Sequence, residues 1–338
     1  MELAPYTTLR LGGPARAITE PDGQDALVAA VREADAREEP ILLLAGGSNV
    51  VIADEGIDAT AILVRTRGLT FHDDGERVLV RAAAGEPWDD LVARCVADGL
   101  VGVECLAGIP GSTGATPIQN VGAYGQEIAD TLVSVLVLDR RSGEVASLAP
   151  EDCGFGYRTS ALKRDPRRWV VLEVTLGLRR GDHGAPIRYG ELARALGVPA
   201  GGCAPLADVR DAVLALRRSK GMVLDPDDRD TWSAGSFFTN PLIAPTDVPD
   251  GAPAFPQGNG SVKTSAAWLI EQAGFHRGYG NPAAIAISTK HTLALTNRGA
   301  GTTAQLVALA EEIAGGVRAR YGIALEPEPM FVGIAWRL

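Results

Sequence analysis

Lysine is nearly missing from this chain of 338 residues: Lys163, Lys220, Lys263 and Lys290 stand beside 28 arginines, a skew that reads as genomic composition. With 42 acidic against 32 basic residues the formal charge is −10, which lacks the basic footprint of non-specific nucleic-acid binding. Cysteine is scarce, and Cys95, Cys105, Cys153 and Cys203 include no C-x-x-C pair, so neither a zinc knuckle nor a redox couple is indicated. Reduced, mostly buried thiols in a cytosolic protein are the expectation. The histidines (His72, His183, His276, His291) have no metal-ligand spacing, and no metal site is expected. No apolar run reaches about 18 residues. The opening MELAPYTTLRLGG has no basic segment followed by an apolar one, so the expected location is cytoplasmic, without membrane insertion. Neither the G-x-G-x-x-G of a Rossmann turn nor the G-x-x-x-x-G-K-[ST] of a P-loop occurs. There is no internal repeat and no low-complexity segment.

What the chain has is glycine, 40 residues of it, well above the usual ~7%. The densest stretch is Leu106–Ile128, LAGIPGSTGATPIQNVGAYGQEI, with glycine at 108, 111, 114, 122 and 125. Glycine tolerates positive φ and lets the backbone come close to a ligand. The spacing of Gly108, Gly111 and Gly114 suits a loop whose amides turn inward on an anion. Ser112, Thr113, Thr116, Gln119 and Asn120 could touch that ligand, while Pro110, Pro117, Ala123 and Tyr124 could anchor the loop. Long loops without function or disorder are uncommon. A second turn, Gly46–Gly47–Ser48–Asn49, follows the apolar run Ile41–Leu44; by itself it is an ordinary tight turn.

The length predicts two or three domains, and 46% hydrophobic residues with a mean hydropathy of +0.06 fit a globular protein. Periodicity predicts helices over 23–36, 87–98, 204–219 and 303–320, the last ended by Tyr321–Gly322, and another beginning at Ser265 as N-cap. Ile41–Leu44 reads as a buried strand and, with Val50–Ile52, as a βαβ-like start. Short alternating strands are expected over 61–84, with Asp74–Gly75 as a hairpin turn. Paired strands are expected around Arg141–Gly143 and around Ser288–Lys290. Gly181–Ile187 reads as a crossing loop, and IALEPEPMFVG and IAWRL as strand-like ends.

Four further strings can carry chemistry, one of them Arg188–Glu191 (RYGE), with Tyr189 placed just after the crossing loop. In Gly156–Ser160 (GYRTS) the guanidinium of Arg158 offers a planar fork for a carboxylate or phosphate, or a surface salt bridge. In Ala234–Pro241 (AGSFFTNP) Ser236 stands between glycine and two aromatics, with Asn240 close by. This is not the G-x-S-x-G elbow of a hydrolase, and no His–Asp partners are spaced for a triad. In Leu325–Pro329 (LEPEP) two prolines stiffen Glu326 and Glu328. Such a pair can turn one acid inward or leave both solvated.

Taken in order, LAGGSNV, GIPGSTGATPIQNVGAYG, GYRTS, RYGEL, AGSFFTNP, AAWLIEQAG and LEPE resemble the UDP-N-acetylenolpyruvoylglucosamine reductase family, from about Thr7 to Gly333. The resemblance implies an α+β fold: a two-part FAD-binding domain of the vanillyl-alcohol-oxidase type and a smaller α/β substrate-binding domain. The expected boundaries are 1–64 joined by 323–338, then 65–203, then 204–322. RYGEL, carried in an insertion, is similar to the longer type of the family, whose tyrosine reaches the substrate. The implied cofactors are non-covalent FAD and NADPH as hydride donor. The implied partner is UDP-N-acetylglucosamine enolpyruvate, with no protein partner inferable.

By motif, the resemblance makes Ser236 the proton donor and Arg158 with Glu328 the pair that stabilises the enolate-like charge. Tyr189, Lys220, Asn240 and His291 match positions near the nucleotide diphosphate. Ala45, Gly46, Gly47, Ser48, Asn49 and Val50 match one flavin segment. Gly108, Ile109, Pro110, Gly111, Ser112, Gly114, Ala115, Gln119, Asn120, Gly122 and Ala123 match the other. Thr239 departs from relatives that carry lysine there, which would shift phosphate binding towards Lys220. Two other classes are weighed. A covalent flavoprotein oxidase normally needs a histidine or cysteine in the flavin loops, and 45–52 and 106–128 contain neither. A non-enzymatic nucleotide-binding module would leave Ser236, Arg158 and Glu328 without a shared task.

Overall fold

A computed structural model describes all 338 residues, which divide into two compact units, each assembled from separate pieces of chain. One comprises Arg16–Gly46 and Asp58–Ser219. Its centre is an antiparallel sheet in the order Glu144–Leu148, Leu132–Asp139, Trp169–Arg180, Arg77–Ala83, Leu69–Asp74, with Leu100–Val101 as a further partner of Trp169–Arg180. The middle strand WVVLEVTLGLRR alternates along its second half: Leu172, Val174, Leu176 and Leu178 are fully buried on one face, while Glu173 and Gly177 between them are half-buried. The edge strand LTFHDD is mostly exposed and ends on two aspartates, which discourages pairing with another chain. Ile41–Leu44 runs parallel to the middle strand of a second, three-stranded sheet, pairing Leu42 with Ala61 and Leu44 with Leu63. The helices Gly23–Ala36, Trp88–Ala97 and Leu206–Ser219 stand where the periodicity puts them.

The other unit comprises Met1–Ala15, Gly47–Ile57 and Lys220–Leu338. Its core gathers on the helix Thr303–Tyr321, where Leu306, Ala310, Ile313 and Val317 pack with Phe237, Phe238, Leu269, Ile285, Ile287 and Leu295. The helix is closed at both ends. Thr302 and Gln305 exchange a capping box, and Gly322 ends it at φ +69°. A glycine inside a helix is destabilising, yet a Cβ at Gly316 would stand 2.5 Å from the Phe275 ring. Close packing therefore requires glycine there. Asp54 accepts from the amides of Thr303 and Ala304, tying the excursion Gly47–Ile57 to the helix N-terminus. Ser265 caps Ala266–Gln272 through the Trp268 amide.

Three local expectations need correction. Val50–Ile52 does not complete a βαβ start: it pairs in parallel with Met330–Val332. Ile41–Leu43 are half-buried rather than buried, and only Leu44 is enclosed. The chain end holds one strand, Met330–Val332, and no strand forms at IAWRL or LEPEP. Pro327 and Pro329 have no N–H to give a ladder, so this stretch makes a single bridge, Phe238 to Pro327. No helix is long and apolar enough to cross a membrane. Burial of Cys95 and Cys105 pushes both thiols up to about 12, and Cys153 is buried while Cys203 is exposed.

Candidate active site

In the first-described unit the glycine-rich loop is bolted to the helix Trp88–Ala97. The buried Trp88 donates its amide to the Gly111 carbonyl at 3.0 Å and its indole N–H to the Leu106 carbonyl at 2.9 Å. Asp89 accepts the Gly108 amide at 2.6 Å, and the Thr113 amide reaches the Glu86 carbonyl at 2.8 Å. Gly108 and Gly111 lie at φ +70° and +124°, where side chains are strained. In the bridge of Ser112 with Pro87 the neighbours Gly111 and Thr113 make the bonds, so the Ser112 amide points the other way. That amide belongs to a buried residue and meets no protein acceptor, a condition rare without a ligand. A Cβ on Gly46 would lie 2.6 Å from the Gly111 Cα and 3.2 Å from the Ser112 nitrogen. Two stretches of bare backbone thus meet at an orphan amide, a surface that fits the phosphate region of a dinucleotide cofactor such as FAD.

The string GYRTS is laced to the same loop. Gly156 and Thr159 bridge to each other, leaving Tyr157 and Arg158 at the tip, with Arg158 at φ +54°. The half-buried Arg158 donates through Nη2 to the Gly122 carbonyl at 2.7 Å. The Ser160 hydroxyl donates to the Ile118 carbonyl, and Asn120 Nδ2 reaches the Gly156 carbonyl at 3.4 Å. Asn120, at φ +46°, also holds Glu127 at 2.7 Å and the Ala129 amide at 3.1 Å, so its side chain is occupied within the protein. Left-handed backbone at a residue other than glycine costs energy and clusters at functional sites. Asn120, Tyr124 and Arg158 are three of the five such residues in the chain.

Tyr124 and Gly125, at φ +49° and +88°, form the two-residue tip of the hairpin Gly122–Ala123 and Gln126–Glu127, as a turn matched to strand twist requires. The exposed Tyr189 stands on this tip, its ring edge-to-face with Tyr124 at 5.5 Å and 87°. Tyr124 stood out in the sequence only as a possible loop anchor, and Arg217 not at all. Burial drives the Tyr124 phenol up to about 12, partly opposed by Arg217. Desolvation brings the Arg217 guanidinium down to about 10, so it stays charged at neutral pH. The only signal was their position, one inside the glycine-rich string and the other three residues before Lys220.

In the second-described unit, AGSFFTNP and LEPEP run alongside each other. The Glu328 amide donates to the Phe237 carbonyl at 2.8 Å, and the Thr239 amide to the Glu326 carbonyl at 3.0 Å. This places Ser236 and Glu328 on neighbouring backbone. Glu328 is half-buried and Glu326 exposed, so one acid of the pair turns inward. Asn49 joins them: its Nδ2 reaches the Glu328 carbonyl at 3.4 Å, and its carbonyl accepts the Met330 amide at 3.0 Å. The Phe237 amide donates to the Leu293 carbonyl at 2.7 Å, drawing in the turn that carries His291, itself held by Ser288 at 3.3 Å. Asn240 accepts the Ala266 amide at 3.0 Å through its side-chain oxygen, which ties it to the start of the helix Ala266–Gln272. Lys220 begins the last stretch of this unit, next to Gly221, at φ +64°, where a Cβ would come within 3.0 Å of the Asp230 carbonyl. Two open depressions, about 350 Å³ beside Arg65 and Arg67 and about 260 Å³ beside Asn281 and Glu312, touch none of these residues.

Comparison with known proteins bears on both units. Residues 15–149 match the family model "FAD binding domain", and residues 225–332 match that of the UDP-N-acetylenolpyruvoylglucosamine reductase C-terminal domain. The UDP-N-acetylenolpyruvoylglucosamine reductase of Streptomyces coelicolor is 55% identical, over 98% of this chain and 89% of its own. That of Thermobifida fusca is 54% identical, over 98% and 97%. The crystal structure of the enzyme from Thermus caldophilus superposes with a TM-score of 0.66 at 26% identity, covering 98% of this chain and 97% of that one.

Proposed function

Because the chain belongs to the UDP-N-acetylenolpyruvoylglucosamine reductase family, we propose a division of labour among its residues in the reaction it catalyses. That reaction is the NADPH-dependent, FAD-mediated reduction of the enolpyruvyl group of UDP-N-acetylglucosamine enolpyruvate, giving UDP-N-acetylmuramate for peptidoglycan synthesis. We assign FAD binding to 1–64 with 323–338 and to 65–203, and substrate binding to 204–322, in the cytoplasm.

The backbone of Gly46–Asn49 and Gly108–Ala123 would hold FAD, which would supply hydride drawn from NADPH. The enolpyruvyl double bond is conjugated to a carboxylate, so hydride arriving at the terminal carbon leaves negative charge on the adjacent carbon and the carboxylate. Arg158 meets that charge with a planar, permanently cationic fork, and Glu328 shares the task as an acid. Ser236 donates the proton to the carbon. Tyr189, Lys220, Asn240 and His291 hold the nucleotide diphosphate and its surroundings; Thr239 offers no cation, which gives Lys220 the larger share.

The observation that supports this reading is the backbone pairing of Phe237 with Glu328, which brings together the two segments that carry Ser236 and Glu328, with Asn49 of the glycine turn bonded to the Glu328 carbonyl. The test is visible absorption under anaerobic conditions. The purified protein is expected to be yellow, to bleach with NADPH, and to recover its colour when the enolpyruvyl nucleotide is added. Bleaching without recovery would overturn the substrate, and absence of colour in protein incubated with FAD would overturn the cofactor.

A further inference from the structure

Glu104 is completely buried, and its carboxylate gathers three donors from three segments. It accepts the Gly102 amide at 2.7 Å, the Ala185 amide at 2.8 Å and the Gln126 side-chain amide at 2.9 Å. Gln126 in turn accepts the Cys105 amide at 2.8 Å. Burying a carboxylate is costly unless hydrogen bonds replace its water, so this group is not interchangeable with an apolar one of the same shape. Its partners are placed to matter. Ala185 precedes Tyr189 in the crossing loop, and that loop is laddered on 201–206 by the Gly184 amide to the Ala204 carbonyl and the Ile187 amide to the Gly202 carbonyl. Gln126 follows the hairpin tip Tyr124–Gly125. Further along, Arg188 packs over Gly125, where a Cβ would come within 3.1 Å of it, and Tyr189 meets Tyr124 edge-on.

We infer that Glu104 is a positioning residue for nucleotide binding: one buried carboxylate fastens the backbone ahead of Tyr189 to the hairpin of the glycine-rich loop and so sets where that tyrosine stands. The inference rests on the reading of Tyr189 as a nucleotide-binding residue. Glu104→Gln keeps the shape but exchanges an acceptor for a donor, so an amide NH₂ faces one of the three N–H groups.

The test is steady-state kinetics on the FAD-loaded enzyme with Glu104→Gln, Tyr189→Ala and the double variant. Glu104→Gln should retain FAD and keep kcat within a few-fold, while KM for the enolpyruvyl nucleotide rises about tenfold. In the double variant the two KM effects should fall short of their product, as expected for coupled residues. A structural role alone would lower Tm without that coupling. If Tyr189→Ala leaves KM unchanged, the reading of the tyrosine fails. If Tyr189→Ala raises KM and Glu104→Gln does not, or if the two effects multiply independently, the positioning inference is overturned. Should Glu104→Gln not accumulate as folded protein, Gln126→Met, which keeps two of the three bonds to Glu104, carries the same cycle with a smaller expected rise and the same overturning outcomes.

Discussion

The loop 106–128 and the paired segments 234–241 and 325–330 solve opposite problems. The loop presents backbone: Gly46 meets Gly111 at a distance no side chain permits, and the Ser112 amide meets no protein acceptor. The paired segments present side chains. Phe237, Phe238 and Leu325 are buried, and the hydrogen bonds of 237–239 with 326–328 use up backbone groups. Ser236 and Glu328 are left half-exposed on that frame. A cofactor kept through many turnovers suits a surface without side chains, since amides need no deprotonation and lose no rotamer freedom. A carbanion needs a group that can part with a proton. The two regions should therefore fail differently when altered.

The largest effect is expected at Ser236. Ser236→Ala should bind FAD and bleach with NADPH at a near-normal rate. Re-oxidation by saturating enolpyruvyl nucleotide should slow by at least about a hundredfold, within the usual range of general acid catalysis. Ser236→Cys should recover part of the loss. Stopped-flow absorbance at the flavin band separates this from a binding defect: a saturated rate within a few-fold of wild type would remove Ser236 from the chemistry.

Gly46→Ala is the matching change in the backbone-lined region. Its Cβ would overlap the Gly111 Cα at 2.6 Å. Overpacking of this kind costs about 1–3 kcal/mol, so FAD affinity should fall about ten- to a hundredfold. With excess FAD the kcat should return towards wild type, because no reacting group has been touched. Full flavin retention after gel filtration would break the contrast between the regions.

Much of this was legible locally. Thr303–Tyr321 was readable from its period and its terminal glycine, Ser265 from its place ahead of an apolar run, and Asp74–Gly75 as a turn that now joins paired strands. Each is decided by neighbours in sequence. What stayed hidden depends on partners far along the chain. The pairing of Phe237 with Glu328 has no sequence signature, because backbone amides look alike whatever the residue. Val50–Ile52 reads as an ordinary apolar run, and only the fold shows that its neighbour is Met330–Val332. The Tyr124–Gly125 turn escaped because tyrosine is an unusual occupant of a left-handed position, tolerated where a hairpin demands it. Glu104, one acid among 42 acidic residues, gains its meaning only from being enclosed.

Arg158 connects the two styles, being a side chain held by the carbonyl of Gly122. Arg158→Lys keeps the charge and loses the fork. Substrate reduction should slow by more than tenfold, over ~1.4 kcal/mol in the barrier, with flavin reduction by NADPH nearly unchanged. Wild-type rates in both half-reactions would make it a structural arginine whose task is to hold the loop.

The smallest effect concerns acid stability, and it asks whether the side-chain frame has its own support. Burial alone would raise the Asp230 pKa. The Thr289 hydroxyl and amide, together with Arg298, outweigh it and hold the carboxyl below its ordinary value of 3.8. A carboxylate with a lowered folded-state pKa adds stability that is present above the unfolded value and lost as pH falls through the folded one. The Tm difference between wild type and Asp230→Asn should therefore be largest near neutrality, hold down to about pH 4, and shrink below it. Asp139, held down mainly by Arg168 in the other unit, should give the same sign when changed to Asn. Hydrogen exchange tells the two apart. Asp230→Asn should loosen the Ser288–His291 turn, and with it the amide that Asp230 accepts from Thr289, whereas Asp139→Asn should leave that protection intact. A Tm difference that grows on acidification would mean that Asp230 is not held ionised by these partners.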